Sequence, residues 1–303
     1  MPKNARAGAP PLLLIQGFAC GMAQWGGLPK VLGNLAEREV ITFDHRGMGA
    51  SPPPPAAGRP GTVADMVADC ISVLDEAEAG EAHVLGISLG GMVAQSLALD
   101  HPSRVAGLVL GATTHGGRES VPPPESFMRT CSDWARDGGD DASAGRSRDA
   151  DVDLDPNLDL DPNLSEHAEQ FFHAMMPESA KQSPVLEKYQ KAFLETPRTY
   201  AGLCAQLDAM GSFNSTRRLE ELGNRIPTLV VCGSRDEVMV PANSDSLAAR
   251  IPHAQLYIHP GAGHFWWATA TFKVCKPIAA FLDAADMLNA VSVPLGVPSA
   301  DVR

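Results

Sequence analysis

The sequence predicts an α/β fold: a mostly parallel, twisted sheet flanked by helices, with an inserted helical cap. Three observations point there. Short, near-continuous apolar runs alternate with longer segments of helical periodicity. Residue types suited to chemistry cluster just after those runs. More than a hundred residues between two of the runs then break the alternation. Alternation of this kind implies parallel strands joined by right-handed crossovers. Strands covered on both faces read as continuous apolar runs.

In chain order, PLLLIQG (11–17) reads as a buried strand, LPKVLGNLA as a helix and EVITFD (39–44) as a second strand. VADMVADCISVLDEA (63–77) places Val63, Met66, Val67, Cys70, Ile71, Val73 and Leu74 on one side of a helix. AHVLGI, SLGGMVAQSLALD and VAGLVLGA (105–112) continue as strand, helix, strand. PTLVVCGS (227–234), SDSLAARI (244–251) and AQLYIHP (254–260) resume the pattern as strand, helix, strand. A helix containing FKVCKPIAAFLDAADML closes it, with a kink or break expected at Pro277. The core is therefore assigned to 1–113 and 225–303, and the cap to 114–224. Within the cap, SEHAEQFFHAMMPES and VLEKYQKAFLETPRTYAGLCAQLDAM have helical character.

Bulk properties narrow the function. No apolar run approaches the roughly 20 residues that span a bilayer. The run Leu12–Ile15 is too short for a signal-peptide core, so a cytoplasmic location is expected. The net charge of −12 disfavours nucleic-acid partners. Residues 137–163 hold nine Asp and two Arg, more than half of that excess. The segment 137–164 contains DLDPNL twice and reads as a solvated, flexible surface insert. A calcium loop starting at Asp151 would need Gly at 156 and Glu at 162, and both are proline. The six cysteines have no CxxC or Cys/His metal spacing, so neither a metal site nor a disulfide framework is expected. The oligomeric state has no signature here.

GISLGG (86–91) follows a strand and opens a helix, the context a nucleophile elbow requires. Glycines on either side let the chain turn sharply and lift Ser88 above the sheet. A serine hydroxyl needs a base, and the base a carboxylate to orient it. Of nine histidines, His264 lies in a Gly-rich loop after the last strand, with His259 as a near competitor at the strand end. Asp236 follows TLVVCGS, with Glu237 adjacent. The order Ser88, Asp236, His264 is the one expected of a serine nucleophile on such a sheet. An oxyanion hole needs two aimed N–H donors. Leu89 directly follows the serine, and Phe18 lies in the loop after the first strand. The pocket is expected to include Met22, Trp25, Phe172, Met176 and Phe265, with Phe171, Met175 and Trp266 as further candidates.

At these residues the chain resembles the α/β-hydrolase superfamily. The resemblance rests on QGFACGMAQW (16–25), DHRGMGAS (44–51), GISLGG (86–91), GSRDEVMVP (233–241) and GAGH (261–264). It covers about two thirds of the chain, is specific for the superfamily and says little about substrate. Members usually have His-Gly where this chain has Gln16-Gly17. The segment from Thr196 to Val238 is also similar to the cap-to-sheet junction of 3-oxoadipate enol-lactonases and related small esterases. The resemblance implies a serine hydrolase acting on a small-molecule ester or lactone, with no cofactor. Carbon–carbon hydrolysis, thioester hydrolysis, acyl transfer and a receptor on the same fold stay open. Ser88 argues against the dehalogenases and epoxide hydrolases of this fold, which use aspartate.

Overall fold

The computed structural model describes residues 5–54, 61–137, 162–176, 184–268 and 271–292. The acidic stretch expected at 137–164 falls mostly outside them. Six strands form one parallel sheet: β1 (Leu12–Ile15), β2 (Val40–Thr42), β3 (Ala82–Ile87), β4 (Val105–Gly111), β5 (Thr228–Gly233) and β6 (Gln255–His259). Their order is β2-β1-β3-β4-β5-β6, with every pairing parallel. β1, β3, β4 and β5 are buried along their whole lengths, which is why they read as continuous apolar runs. β6 lies at the edge and exposes Leu256 and Ile258.

The chain moves outward from β1 to β2 and returns to the other side of β1 for β3. The order thus reverses between β1 and β3. Ligands of open parallel sheets bind beyond the carboxyl ends of strands at such a switch point. Ile15 and Ile87 end the two strands there, so the loops that follow them are where a ligand site is expected.

The helices of the core are α1 (Leu28–Leu35), α2 (Val63–Glu76) and α3 (Leu89–Asp100), which alternate with the first strands. Thr62 caps α2: its hydroxyl accepts from the Asp65 N–H at 3.2 Å, and the Asp65 carboxylate accepts from the Thr62 N–H at 3.1 Å. Among the described residues, four helices lie between β4 and β5 before a short one at the strand: α4 (Glu125–Asp137), α5 (Pro162–Ala174), α6 (Pro184–Leu194), α7 (Tyr200–Ser212) and then α8 (Leu219–Gly223). α9 (Pro241–Arg250) and α10 (Thr271–Ser292) complete the chain.

Three details add to the sequence expectation. α4 was not foreseen; it buries Phe127, Cys131 and Trp134, one helical face of an otherwise polar segment. The stretch from Val185 to Met210, expected to have helical character, forms two helices, α6 and α7, parted where Pro197 lacks the N–H that a continuing helix would need. Of the kink or break expected at Pro277, the break does not occur: α10 continues through it as one helix.

At the amino ends of the strands, α10 is tied to the sheet by a partly buried polar cluster. Arg38, fully buried, donates to Asp286 at 3.0 Å and to the Pro10 carbonyl at 3.1 Å, while Asp286 also meets His83 Nε2 at 2.7 Å. Burial opposes ionisation of Asp286, but hydrogen bonds from His83 and Arg38 outweigh it and hold the carboxyl below its ordinary range. Burial also pushes His83 toward its neutral form. This cluster fixes the helix that follows the His264 loop.

Candidate active site

Ser88 sits at the β3–α3 turn with φ 56° and ψ −120°, a conformation that L residues rarely adopt. Its neighbours make that turn possible. A Cβ at Gly86 would run into the Gly90 backbone, and one at Gly90 into the carbonyl oxygens of Ile15 and Gln16. The turn is held by the Ser88 N–H, which donates to the Gly111 carbonyl at 2.9 Å, and by the Thr113 hydroxyl, which donates to the Ser88 carbonyl at 2.7 Å. Strain of this type persists only where the surroundings over-determine it.

Asp236 and His264 are brought together from the loops after β5 and β6. The Asp236 Oδ1 accepts the N–H groups of Val238 and Met239, both at 2.9 Å. Its Oδ2 accepts from His264 Nδ1, also at 2.9 Å. Two backbone donors thus fix the carboxylate, and the carboxylate fixes the ring. With Nδ1 committed as a donor, Nε2 is the ring nitrogen left to accept a proton. The Asp236 side chain is fully buried and His264 nearly so. Glu237 is exposed, and His259 bonds the Tyr257 hydroxyl through Nδ1 at 3.2 Å.

Ser88 and His264 open onto one cavity of about 340 Å³ between the sheet and the helices that follow β4. Phe18 lines it too. The Phe18 N–H lies between two anchored neighbours: the Gly17 N–H donates to Gln16 Oε1 at 3.0 Å and the Ala19 N–H to Gln206 Oε1 at 2.8 Å. Leu89 opens α3, so its N–H is among the first helix donors, which have no carbonyl partner within the helix. Cys20 also lines the cavity, but burial pushes its thiol up to about 12, leaving it protonated and a poor nucleophile at neutral pH.

The wall is apolar and rich in methionine: Met92, Met128, Met175, Met210 and Met239 face it together with Phe127, Phe171, Phe213, Phe265 and Trp267. Among the described residues, no Lys, Arg, Asp or Glu lines it. Of the five side chains expected in the pocket, only Phe265 is there. Trp25 is fully buried against Trp267, with ring centroids 5.6 Å apart. Met22 is exposed, and its sulfur meets the Thr42 hydroxyl at 3.5 Å. Phe172 packs on Phe193 and Phe265, at centroid distances of 5.6 and 5.7 Å, and does not line the cavity. Met176 is buried off the cavity as well. Helix phase explains Phe172, while Met176 lies in the turn that ends α5, its N–H donating to the His173 carbonyl at 3.2 Å. Phe171 and Met175, four apart and joined by the Met175 N–H to the Phe171 carbonyl at 3.2 Å, share the cavity face, and Phe172 is turned about 100° away around the axis.

No group of three or more His, Cys, Asp or Glu placed to hold a metal ion occurs among the described residues. Nor is any helix there long and apolar enough to cross a membrane.

Comparison with known proteins matches residues 10–267 to the family described as the alpha/beta hydrolase fold. The chain belongs to the α/β-hydrolase fold family. Within this family of hydrolases it is 30% identical over 290 residues to "Putative carbamate hydrolase RutD" of Variovorax paradoxus, covering 95% of this chain and 94% of that one. A protein with the same description from Caulobacter segnis is 28% identical over 291 residues, covering 92% and 93%. Among solved structures, a hydrolase from Pseudomonas aeruginosa PA01 is 26% identical with a TM-score of 0.70, covering 92% of this chain and 91% of that one. An enol-lactonase from Burkholderia xenovorans LB400 shares the fold at 18% identity and a TM-score of 0.71, covering 92% and 94%.

Proposed function

We propose that this α/β hydrolase is a serine hydrolase of uncharged carboxylic esters or lactones with an apolar acyl group. The observation that carries the reading is the Asp236–His264 hydrogen bond opening onto the same apolar cavity as the strained Ser88. Ser88 Oγ attacks the carbonyl carbon while His264 Nε2 takes the hydroxyl proton. The carbonyl electron pair moves onto oxygen, where the Phe18 and Leu89 N–H groups receive it. Collapse of this adduct expels the alkoxide, which takes the proton from His264. A water then attacks the acyl-enzyme with the same proton relay and frees the acid. Asp236 holds the ring in the required tautomer and stabilises its charged form. Helices α4–α7 act as the cap that keeps bulk water from the acyl group.

The names of the relatives point to carbamate cleavage as well, and the same triad would attack that carbonyl. The cavity wall favours the neutral ester. A carboxylate buried against methionine and phenylalanine would lose its hydration with no cationic partner among the described lining residues. The test is a matched pair of substrates, p-nitrophenyl butyrate and p-nitrophenyl hemisuccinate, which present four-carbon acyl groups without and with a terminal carboxylate. kcat/KM is expected to favour the butyrate by about 100-fold or more, since an unpaired buried polar group costs about 3 kcal/mol. Equal values would overturn the apolar-substrate reading.

A further inference from the structure

The loop that carries the Phe18 N–H is gripped from the helical segment rather than from the sheet. Ala19, the next residue, has φ 58°, in the left-handed region that disfavours a side chain. Both polar groups of its backbone are taken by side chains from beyond β4. The N–H donates to Gln206 Oε1 at 2.8 Å, and the carbonyl accepts from Arg198 Nε at 2.8 Å. Gln206 is on α7 and is fully buried. Arg198 sits in the turn between α6 and α7, and its backbone neighbours are stapled to the core. The Gly49 N–H donates to the Pro197 carbonyl at 2.9 Å, and the Thr199 N–H to the Gly47 carbonyl at 2.8 Å. The remaining guanidinium donors reach the carbonyls of Thr196 and Phe193, and the group stacks 4.1 Å from the centroid of the Phe193 ring. Burial lowers its pKa to about 10, which still leaves it charged at neutral pH.

We propose that Gln206 and Arg198 are positioning residues that hold the Phe18 N–H in its oxyanion-binding orientation. The proposal rests on the reading of Phe18 as an oxyanion donor. Gln206 fixes the plane of the Phe18–Ala19 peptide, and Arg198 that of the Ala19–Cys20 peptide. The Cys20 N–H in turn donates to the Gly17 carbonyl at 3.3 Å. That carbonyl belongs to the peptide whose N–H is Phe18. The positive charge on Arg198 therefore polarises two successive peptide units toward the oxyanion, since hydrogen bonds in a chain strengthen one another. Docking of α6 and α7 on the core thereby completes the oxyanion site as well as covering it.

Gln206→Met keeps the length of the side chain and removes the acceptor. Arg198→Met removes the charge and the donor to Ala19. Each is expected to lower kcat on p-nitrophenyl butyrate by about 10- to 100-fold, a misplaced donor costing less than the 100- to 1,000-fold of a deleted one. KM should stay within about threefold, and affinity for a trifluoromethyl ketone should fall in parallel with kcat, as a defect confined to the transition state requires. Gln206→Glu, which restores an acceptor oxygen, should recover kcat to within about threefold of the native protein. Circular dichroism identifies any variant that fails to fold, and the other substitution then carries the test. Folded variants with native kcat and native ketone affinity would overturn the proposal. So would a loss in which KM rises and kcat is unchanged, because that is a pocket defect. Failure of the underlying mechanism is distinguishable: the native protein would then hydrolyse the ester without depending on Ser88.

Discussion

Asp236→Asn is expected to lower kcat for ester hydrolysis by roughly 10⁴-fold. The carboxylate has two functions that asparagine cannot both keep. Its Oδ1 is pinned by the Val238 and Met239 N–H groups, so an asparagine carbonyl would take that place. The amide NH2 would then face His264 Nδ1, where Oδ2 now accepts. A donor there forces Nδ1 to become the acceptor, and the ring proton moves to Nε2. The base is lost although every atom of the ring stays in position. The counter-charge that supports the imidazolium disappears as well. Substrate affinity should change little, because Asp236 does not line the cavity. Steady-state kinetics on p-nitrophenyl butyrate separates the two effects. A native kcat in Asp236→Asn would show that His264 is oriented by something else.

The second large effect is expected from Gly90→Ala. The new Cβ would stand against the carbonyl oxygens of Ile15 and Gln16. These are backbone atoms at the end of a central strand, so no side chain can swing away. Either α3 or the end of β1 must move. α3 carries the Leu89 N–H, and β1 leads into the Phe18 loop. Overpacking of this kind costs about 3 kcal/mol, and a chain of this length should lose roughly 5 °C in Tm. Activity should fall further than stability accounts for, because both proposed oxyanion donors are displaced together. Differential scanning calorimetry and kcat on the same preparation check both parts. A native Tm with native kcat would mean that α3 and β1 are less closely packed than the structure has them.

The sheet was legible because its central strands are buried on both faces. PLLLIQG and VAGLVLGA can hardly be anything but buried strands, and they became β1 and β4. The elbow was legible because a sharp turn under a packed helix demands small residues at fixed offsets, and Gly86 and Gly90 meet backbone on contact. The pairing of Asp236 with His264 followed from chain order plus the rule that chemistry sits after strands. The pocket wall was far less legible. It is assembled from the loops after β1, β3, β4, β5 and β6 together with α3, α4, α5 and α7, and no local pattern records such a meeting. Choosing between the pairs Phe172 and Met176 and Phe171 and Met175 requires the rotation of α5 about its axis and the turn that ends it, which periodicity alone leaves free. α4 was hidden because Phe127, Cys131 and Trp134 are its buried face in a segment of low mean hydropathy. Gln206 and Arg198 left no signal at all, since their partner is the backbone of Ala19 and any residue there has the same N–H and C=O.

The most direct test of the account is the hydrolysis of p-nitrophenyl butyrate by the native protein and by Ser88→Ala. The account predicts steady turnover by the native protein and a fall of several orders of magnitude, to near background, in the variant. Equal turnover by the two folded proteins would contradict it, because the nucleophile would then lie somewhere other than the β3–α3 turn.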